Sequence, residues 1–381
     1  MKKFITGNDA VAEGVRLCRT QIVAAYPITP QTPIYEKLSD WDACGELGGR
    51  MMRMESEHSA MAACLAASLT ATRTFTATSS QGLALMHEML HFASGCRAPV
   101  VMACVNRSLA IPWGFWSDQT DTLAQRDTGW IQIYSENNQE ILDSVIQAYR
   151  IAESVLLPCM VILEASFISH FMEPVEIPEQ DLVDKFLPPA NLPLRFDVER
   201  PAFIAPVVNQ TEYRDYRRLS QEAMELSLNV IDGIDHEFDG IFDRKYGLIE
   251  TVDTEDAELV IVTSGSITST ARVAQVRIRE KGFKIGLLKI RVFRPFPSEI
   301  LREALKHVGK IAVIDRNISL GSEGIFCSEL KAALCDGPAG SKIQGYLAGI
   351  GGTNVSPELI ERIAFDAFNR EHPTVRSIWM T

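Results

Sequence analysis

Long apolar runs are missing from this sequence. No stretch reaches the ~18–20 apolar residues of a membrane span, and Met1-Lys2-Lys3-Phe4 leads into no apolar segment of the kind a secretory signal needs. Clustered basic charge is missing too. The 37 Lys+Arg against 49 Asp+Glu give a net charge of −12, which sets nucleic acid and anionic membrane surfaces aside as partners. An acidic electron carrier would also be repelled by most of such a surface. The eight cysteines (18, 44, 64, 96, 104, 159, 327 and 335) are scattered, and no two form a CxxC pair. That predicts reduced thiols in a cytoplasm, and argues against a disulfide framework, a zinc site or an iron–sulfur cluster ligated by this chain alone. GxGxxG after the first strand, a Walker lysine and a GxSxG elbow are all absent, which excludes the common nucleotide and nucleophile sites.

What is present is an ordinary globular composition, 46% hydrophobic and 23% charged. The 381 residues are enough for about two to three domains. From residue 8 to about 166, helical and strand patterns alternate. Helices are expected over 9–19, 32–40, 59–70, 82–94 and 138–154, and strands over 21–26, 51–54, 73–78, 99–105, 130–134 and 158–165. Short apolar strands alternating with helices predict an α/β domain with a largely parallel sheet covered on both faces. Residues 174–207 hold several prolines and little periodicity, so they read as a surface excursion, followed by an amphipathic helix over 211–234. A second, smaller α/β unit begins near Asp256, with expected strands over 259–263, 285–291, 310–315 and 343–348. The expected organisation is therefore a domain over 1–170, a connecting region over 171–250 and a domain over 251–381.

Four stretches have more chemistry than packing requires. Tyr26 to Pro33 follows an apolar strand, and its three prolines stop either strand or helix while holding Thr29, Gln31 and Thr32 in a stiff loop. Such a loop either builds a ligand site or caps the next helix. Met54 to Cys64 places Glu55, Glu57 and His58 at the mouth of an alanine-rich helix that must be buried. There the helix dipole favours a carboxylate and burial opposes it, so the acid either caps the helix or holds a ligand proton. His58 reads as structural. Thr76 to Gly82 gathers four hydroxyls and an amide at a strand-to-helix junction, where N-capping is the favoured use over an anion cradle. Asn106 to Asp121 puts Arg107 at the end of a buried strand, followed by Trp113, Phe115 and Trp116. Arg107 either clamps a carboxylate beneath an apolar lid or forms a structural ion pair. In Arg291 to Pro297 the arginines serve an interface or a ligand equally well.

Taken in order, Tyr26-Pro-Ile-Thr-Pro30, Glu55-Ser-Glu-His-Ser-Ala60, Thr76-Ala-Thr-Ser-Ser-Gln-Gly-Leu-Ala84, Asn106-Arg107 and Gln125-Arg-Asp-Thr-Gly-Trp130 resemble the alpha subunit of the 2-oxoacid:ferredoxin oxidoreductases. The nearest types are those acting on pyruvate or branched-chain 2-oxoacids. Arg294-Pro-Phe-Pro297 fits the second domain of that subunit, so the likeness runs over nearly the whole chain. The resemblance implies a pyrimidine-binding domain of the thiamine diphosphate type followed by a domain like the C-terminal one of transketolase. It implies that the diphosphate, its Mg2+ and a 4Fe-4S cluster belong to a beta subunit, with further clusters in a delta subunit and a gamma subunit completing the complex. The lack of a Gly-Asp-Gly magnesium anchor here agrees with that division. The family's roles fall on Glu57, which would bond N1′ of the aminopyrimidine, and on Thr29 and Arg107, which would hold the substrate's oxygens. The implied reaction is oxidative decarboxylation of pyruvate, with coenzyme A taking the acyl group and ferredoxin the electrons. A preference for 2-oxoisovalerate or an aryl-2-oxoacid, or a silent scaffold role, are the alternatives.

Overall fold

The computed structural model describes residues 1–193, 195–199, 201, 203–335 and 341–381. The chain starts with β1 (Lys2–Thr6) and α1 (Gly7–Leu17), whose first turn is closed by a capping box between Thr6 and Asp9. Then come β2 (Ile22–Ala25), α2 (Thr32–Cys44), β3 (Arg50–Arg53), α3 (Glu57–Ser68) and β4 (Thr74–Thr78). Pro33 in the first turn of α2 and left-handed Gly45 just past its end mark its limits. Next are α4 (Ser80–Leu85), α5 (His87–Gly95), β5 (Val101–Asn106), α6 (Thr120–Leu123), β6 (Ile131–Tyr134), α7 (Asn138–Val155) and β7 (Cys159–Glu164). β8 (Met172–Glu176), α8 (Gln180–Phe186) and the 33-residue α9 (Gln210–Phe242) lead to the second unit. That unit consists of β9 (Ile249–Val252), β10 (Leu259–Thr263), α10 (Ile267–Glu280), β11 (Ile285–Ile290), β12 (Val292–Arg294) and α11 (Ser298–Leu305). β13 (Lys310–Asp315), α12 (Ile325–Leu334), β14 (Lys342–Leu347), α13 (Pro357–Asn369) and β15 (Ile378–Trp379) complete it.

The first sheet has seven strands in the order β12-β6-β7-β5-β4-β2-β3, parallel except for β12. Its central strands β5 and β7 are buried along their whole length, as continuous apolar runs in a parallel sheet should be. α1, α2 and α7 cover one face, backed by α8 and α9. α3, α4 and α5 lie on the other, in a core that also takes in Val260, Val262, Leu288, Ile290 and Phe293 from the second unit. The second sheet, β15-β14-β13-β10-β11-β9, is parallel apart from β9, with α10 and α13 on its far face. The two sheets thus share one hydrophobic core.

Several elements escape a reading of periodicity. The excursion over 174–207, three of whose positions fall outside the described residues, holds α8 and most of β8. β8 pairs antiparallel with β1 in a separate two-stranded ribbon. β9, β12 and β15 have two to four residues each, too short for a pattern to show. The helix expected over 82–94 is split at Met86, and the helix expected to end near 234 runs on to Phe242, because its inward face continues through Ile234, Phe238 and Phe242. Arg291 resolves to an interface role. It is fully buried, with Nε 3.0 Å from Glu140 Oε1, while Lys289 Nζ lies 2.6 Å from the other Glu140 oxygen. Both cations leave the second sheet to neutralise an acid on α7. No helix among the described residues is long and apolar enough to cross a membrane.

Candidate active site

The candidate residues follow the carboxyl ends of β2 (Thr29), β3 (Glu57) and β5 (Arg107), where open parallel sheets leave a crevice. The proline loop is tied down from both sides. Asn8 Nδ2 donates to Pro30 O (3.1 Å), and Gln31 Nε2 reaches back to Tyr26 O (2.8 Å). Gln31 makes no cap on α2, so the capping use expected of this loop does not occur through it. Thr29 is exposed, and its carbonyl accepts from Arg107 Nη1 at 2.5 Å.

Helix α3 is capped by Ser56, whose Oγ accepts from Ser59 N (3.2 Å). This frees the neighbouring carboxylates from that task. Glu55 is exposed and accepts from the Ser59 hydroxyl. Glu57, in the first turn, is buried, and no described side chain donates a hydrogen bond to its carboxylate. Burial pushes its carboxyl above the usual range, although its own backbone amide pulls the other way. It lies flat against Gly82, where a Cβ would collide with Glu57 Oε1 and Thr78 Oγ1. A glycine is required there for a close approach, although the backbone is ordinary helix.

The hydroxyl-rich stretch does not cap α4 as expected. Ser79 Oγ donates instead to Val105 O (2.7 Å) and Ser80 Oγ to Ser108 O (2.6 Å), stitching β4 to the segment after β5. The Thr76 and Thr78 hydroxyls are buried without a hydrogen-bond partner among the described residues. Asp121, fully buried, has no site role expected from sequence. Its Oδ2 accepts from Ser80 N (3.0 Å) and Arg107 N (3.1 Å), and its Oδ1 from Thr122 N (2.7 Å) and Asn106 Nδ2. Burial raises its pKa to about 7 against those donors.

Arg107 is buried, and no described carboxylate pairs with its guanidinium. The structural ion pair that sequence left open is therefore not made. Its Nη2 donates to Gln81 Oε1, its Nε is buried without a partner, and burial lowers its pKa. Trp113 and Phe115, packed edge to face at 5.3 Å, each lie 5.6 Å from the guanidinium carbon. The loop carrying them is anchored on the second unit. Trp116 packs against Gly352, whose N–H donates to Ser117 O (3.0 Å).

Glu57, Thr29 and Arg107 thus come together around one segment, Gln81-Gly82, in the stretch where sequence favours capping over an anion cradle. Gly82 touches the acid and Gln81 the base. Nothing local gives either residue this role, because both partners arrive from other strands.

Two family models match this chain. One, described as "Pyruvate flavodoxin/ferredoxin oxidoreductase, thiamine diP-bdg", covers residues 13–235, and "Pyruvate:ferredoxin oxidoreductase core domain II" covers 257–360. The chain is 46% identical over 368 residues to the ketoisovalerate oxidoreductase subunit VorA of Pyrococcus horikoshii, covering 96% of this chain and 93% of that one. It is 44% identical over 371 residues to the pyruvate synthase subunit PorA of Methanothermobacter thermautotrophicus, covering 97% and 96%. Among solved structures, a 2-oxoglutarate:ferredoxin oxidoreductase from Magnetococcus marinus, with 2-oxoglutarate, coenzyme A and succinyl-CoA bound, superposes with a TM-score of 0.78 at 21% identity, over 97% of this chain and 65% of that one. A split-gene transketolase in an inactive tetramer gives 0.53 at 14% identity, over 96% and 98%. These two likenesses speak for the fold alone. The chain belongs to the pyruvate flavodoxin/ferredoxin oxidoreductase family, with that family's thiamine diphosphate-binding domain followed by its core domain II.

Proposed function

We propose that this chain is the alpha subunit of a thiamine diphosphate-dependent 2-oxoacid:ferredoxin oxidoreductase that converts pyruvate reversibly to acetyl-CoA and carbon dioxide. The proposal rests on one arrangement. Among the described residues, a buried acid without a donor, Glu57, and a buried cation without an acid, Arg107, flank Gln81-Gly82. Leaving either charge unmatched is unfavourable by several kcal/mol, so each needs a ligand group to complete it.

The residues fit the cofactor. Glu57, with its raised pKa and no protein donor, suits the ring nitrogen N1′ of an aminopyrimidine, and the buried Thr78 hydroxyl beside it is free to steady either partner. When bound, thiamine diphosphate supplies the nucleophilic carbon and the electron sink for decarboxylation. The chain's own contribution is to hold and to orient. Glu57 would hold the proton at N1′ through a short charge-assisted bond. Arg107 keeps Nη hydrogens to spare for a substrate carboxylate, and Thr29, fixed by its carbonyl on Nη1, offers its hydroxyl to the oxo oxygen. Trp113 and Phe115 shield the guanidinium from water, which strengthens its hold on an anion.

The same proposal gives beta, gamma and delta subunits the Mg2+, the 4Fe-4S clusters and the docking of ferredoxin, and places the complex in a cytoplasm. The naming of the relatives as subunits and the unpaired, mostly buried cysteines support it. The second reading is a preference for 2-oxoisovalerate, for which the VorA relative is named, with Trp113 and Phe115 beside Arg107 as apolar surface for a branched side chain.

The test is a substrate panel on the co-purified complex, following reduction of a low-potential dye with pyruvate, 2-oxoisovalerate, 2-oxoglutarate and oxalate. Pyruvate should give the highest kcat/KM. A lead for 2-oxoisovalerate selects the second substrate, and no reduction with any 2-oxoacid sinks both. Glu57→Gln should lower kcat by roughly a hundredfold or more. Wild-type turnover in that variant would remove Glu57 from the N1′ role.

A further inference from the structure

Gln81 takes no part in the roles above, yet it is the side chain that holds Arg107. Its Oε1 accepts from Arg107 Nη2, and Ser80 Oγ lies 2.5 Å from the same atom. Because a guanidinium can only donate, the contact with Arg107 identifies that atom as the oxygen and fixes the orientation of the carboxamide. The segment itself is pinned one residue earlier, where Ser80 N donates to Asp121, and one residue later, where Gly82 meets Glu57. The Gln81 side chain therefore has little freedom to leave the guanidinium.

Its chemistry matters as much as its place. An amide oxygen accepts a hydrogen bond from an arginine without cancelling the charge. The contrast stands elsewhere in this chain, where Arg316, equally buried, is met by the carboxylate of Glu164 at 2.6 Å. Arg107 has a neutral carbonyl from Thr29 and a neutral amide from Gln81 in place of such an acid.

We infer that Gln81 is a positioning residue that aims the Arg107 guanidinium while leaving its charge open for the carboxylate of the substrate. This rests on the function proposed above. A carboxylate at position 81 would have almost the same shape and would close the charge internally. The incoming anion would then compete with an intramolecular partner, and KM would bear the change.

The experiment uses the co-expressed complex with Gln81→Glu and Gln81→Met, measuring kcat, KM for the preferred 2-oxoacid and Tm. Gln81→Met removes the acceptor without adding charge, and should raise KM by about threefold. Gln81→Glu should raise KM by about tenfold or more, with kcat falling by less than KM rises, and should raise Tm through the new pair with Arg107. A KM for Gln81→Glu equal to wild type or below that of Gln81→Met overturns the inference, as does a loss confined to kcat. If Gln81→Glu fails to assemble, Gln81→Met decides alone, a raised KM supporting the role and an unchanged one refuting it. A wild-type complex that turns over no 2-oxoacid overturns the functional proposal and this inference with it, whereas an active wild type with indifferent variants overturns this inference only.

Discussion

Two glutamate–arginine sets stand at the carboxyl ends of this protein's parallel strands, and they are solved in opposite ways. Glu164, at the end of β7, accepts from Arg316 Nη1 (2.6 Å), Gln119 Nε2 (2.8 Å) and the Ser266 hydroxyl. Left-handed Gly265 leaves room for it at the start of α10, and Gln119 N donates in turn to Arg316 O (3.1 Å). The crevice at the end of the second sheet is thereby filled by the first unit. Glu57 and Arg107, at the first sheet, are kept apart by Gln81-Gly82, and neither finds a charged partner among the described residues. A buried charge that finds its counter-charge within the chain belongs to the architecture. One held in place by neutral groups points to something that must arrive from outside.

Substitutions can break this contrast. The largest effect should come from Glu164→Gln, which leaves Arg316 buried without its acid and should destabilise the fold by about 3–5 kcal/mol in a denaturant titration. An unfolding midpoint near wild type would show that the pair does not hold the two units together. Arg107→Leu should do the reverse. Stability should hold or improve as an uncompensated buried charge is removed, while the fall in kcat/KM corresponds to a loss of about 2–5 kcal/mol in transition-state binding. If stability drops as in Glu164→Gln, Arg107 is structural after all. The smallest and sharpest effect is expected for Gly82→Ala. In a helix the exchange favours folding by about 0.5–1 kcal/mol, but the new Cβ must displace the Glu57 carboxylate. Activity of the complex should fall by about tenfold or more, with cofactor affinity weakened, and wild-type activity would mean that the Glu57 carboxylate need not sit on Gly82.

Much of this was open to view in the sequence, and the reason is local. The strands β5 and β7 are continuous apolar runs, and the start of α3 is marked by Ser56 and an alanine-rich helix. The pair Glu55 and Glu57 shows because carboxylates beside so apolar a helix need an explanation, with the family resemblance singling out Glu57, and Arg107 shows because it follows a strand buried throughout. Gln81 and Asp121 do not show. Their meaning arises only where β4 and β5 lie in register, Thr78 opposite Cys104, which brings residue 81 to residue 107. β12 is hidden for the same reason, since Val292–Arg294 belongs to a sheet whose other strands ended more than a hundred residues earlier.

The alternation of elements, the buried helix and the candidate acid and base were therefore determined by the sequence alone, because periodicity and burial are properties of short stretches. Whether each charge is matched was decided only by the tertiary structure. Glu164 finds Arg316 across 152 positions of chain, whereas Glu57 finds no donor at all among the described residues. A one-dimensional reading sees the same residue types in both places, because the field on a buried charge is set by what folds against it.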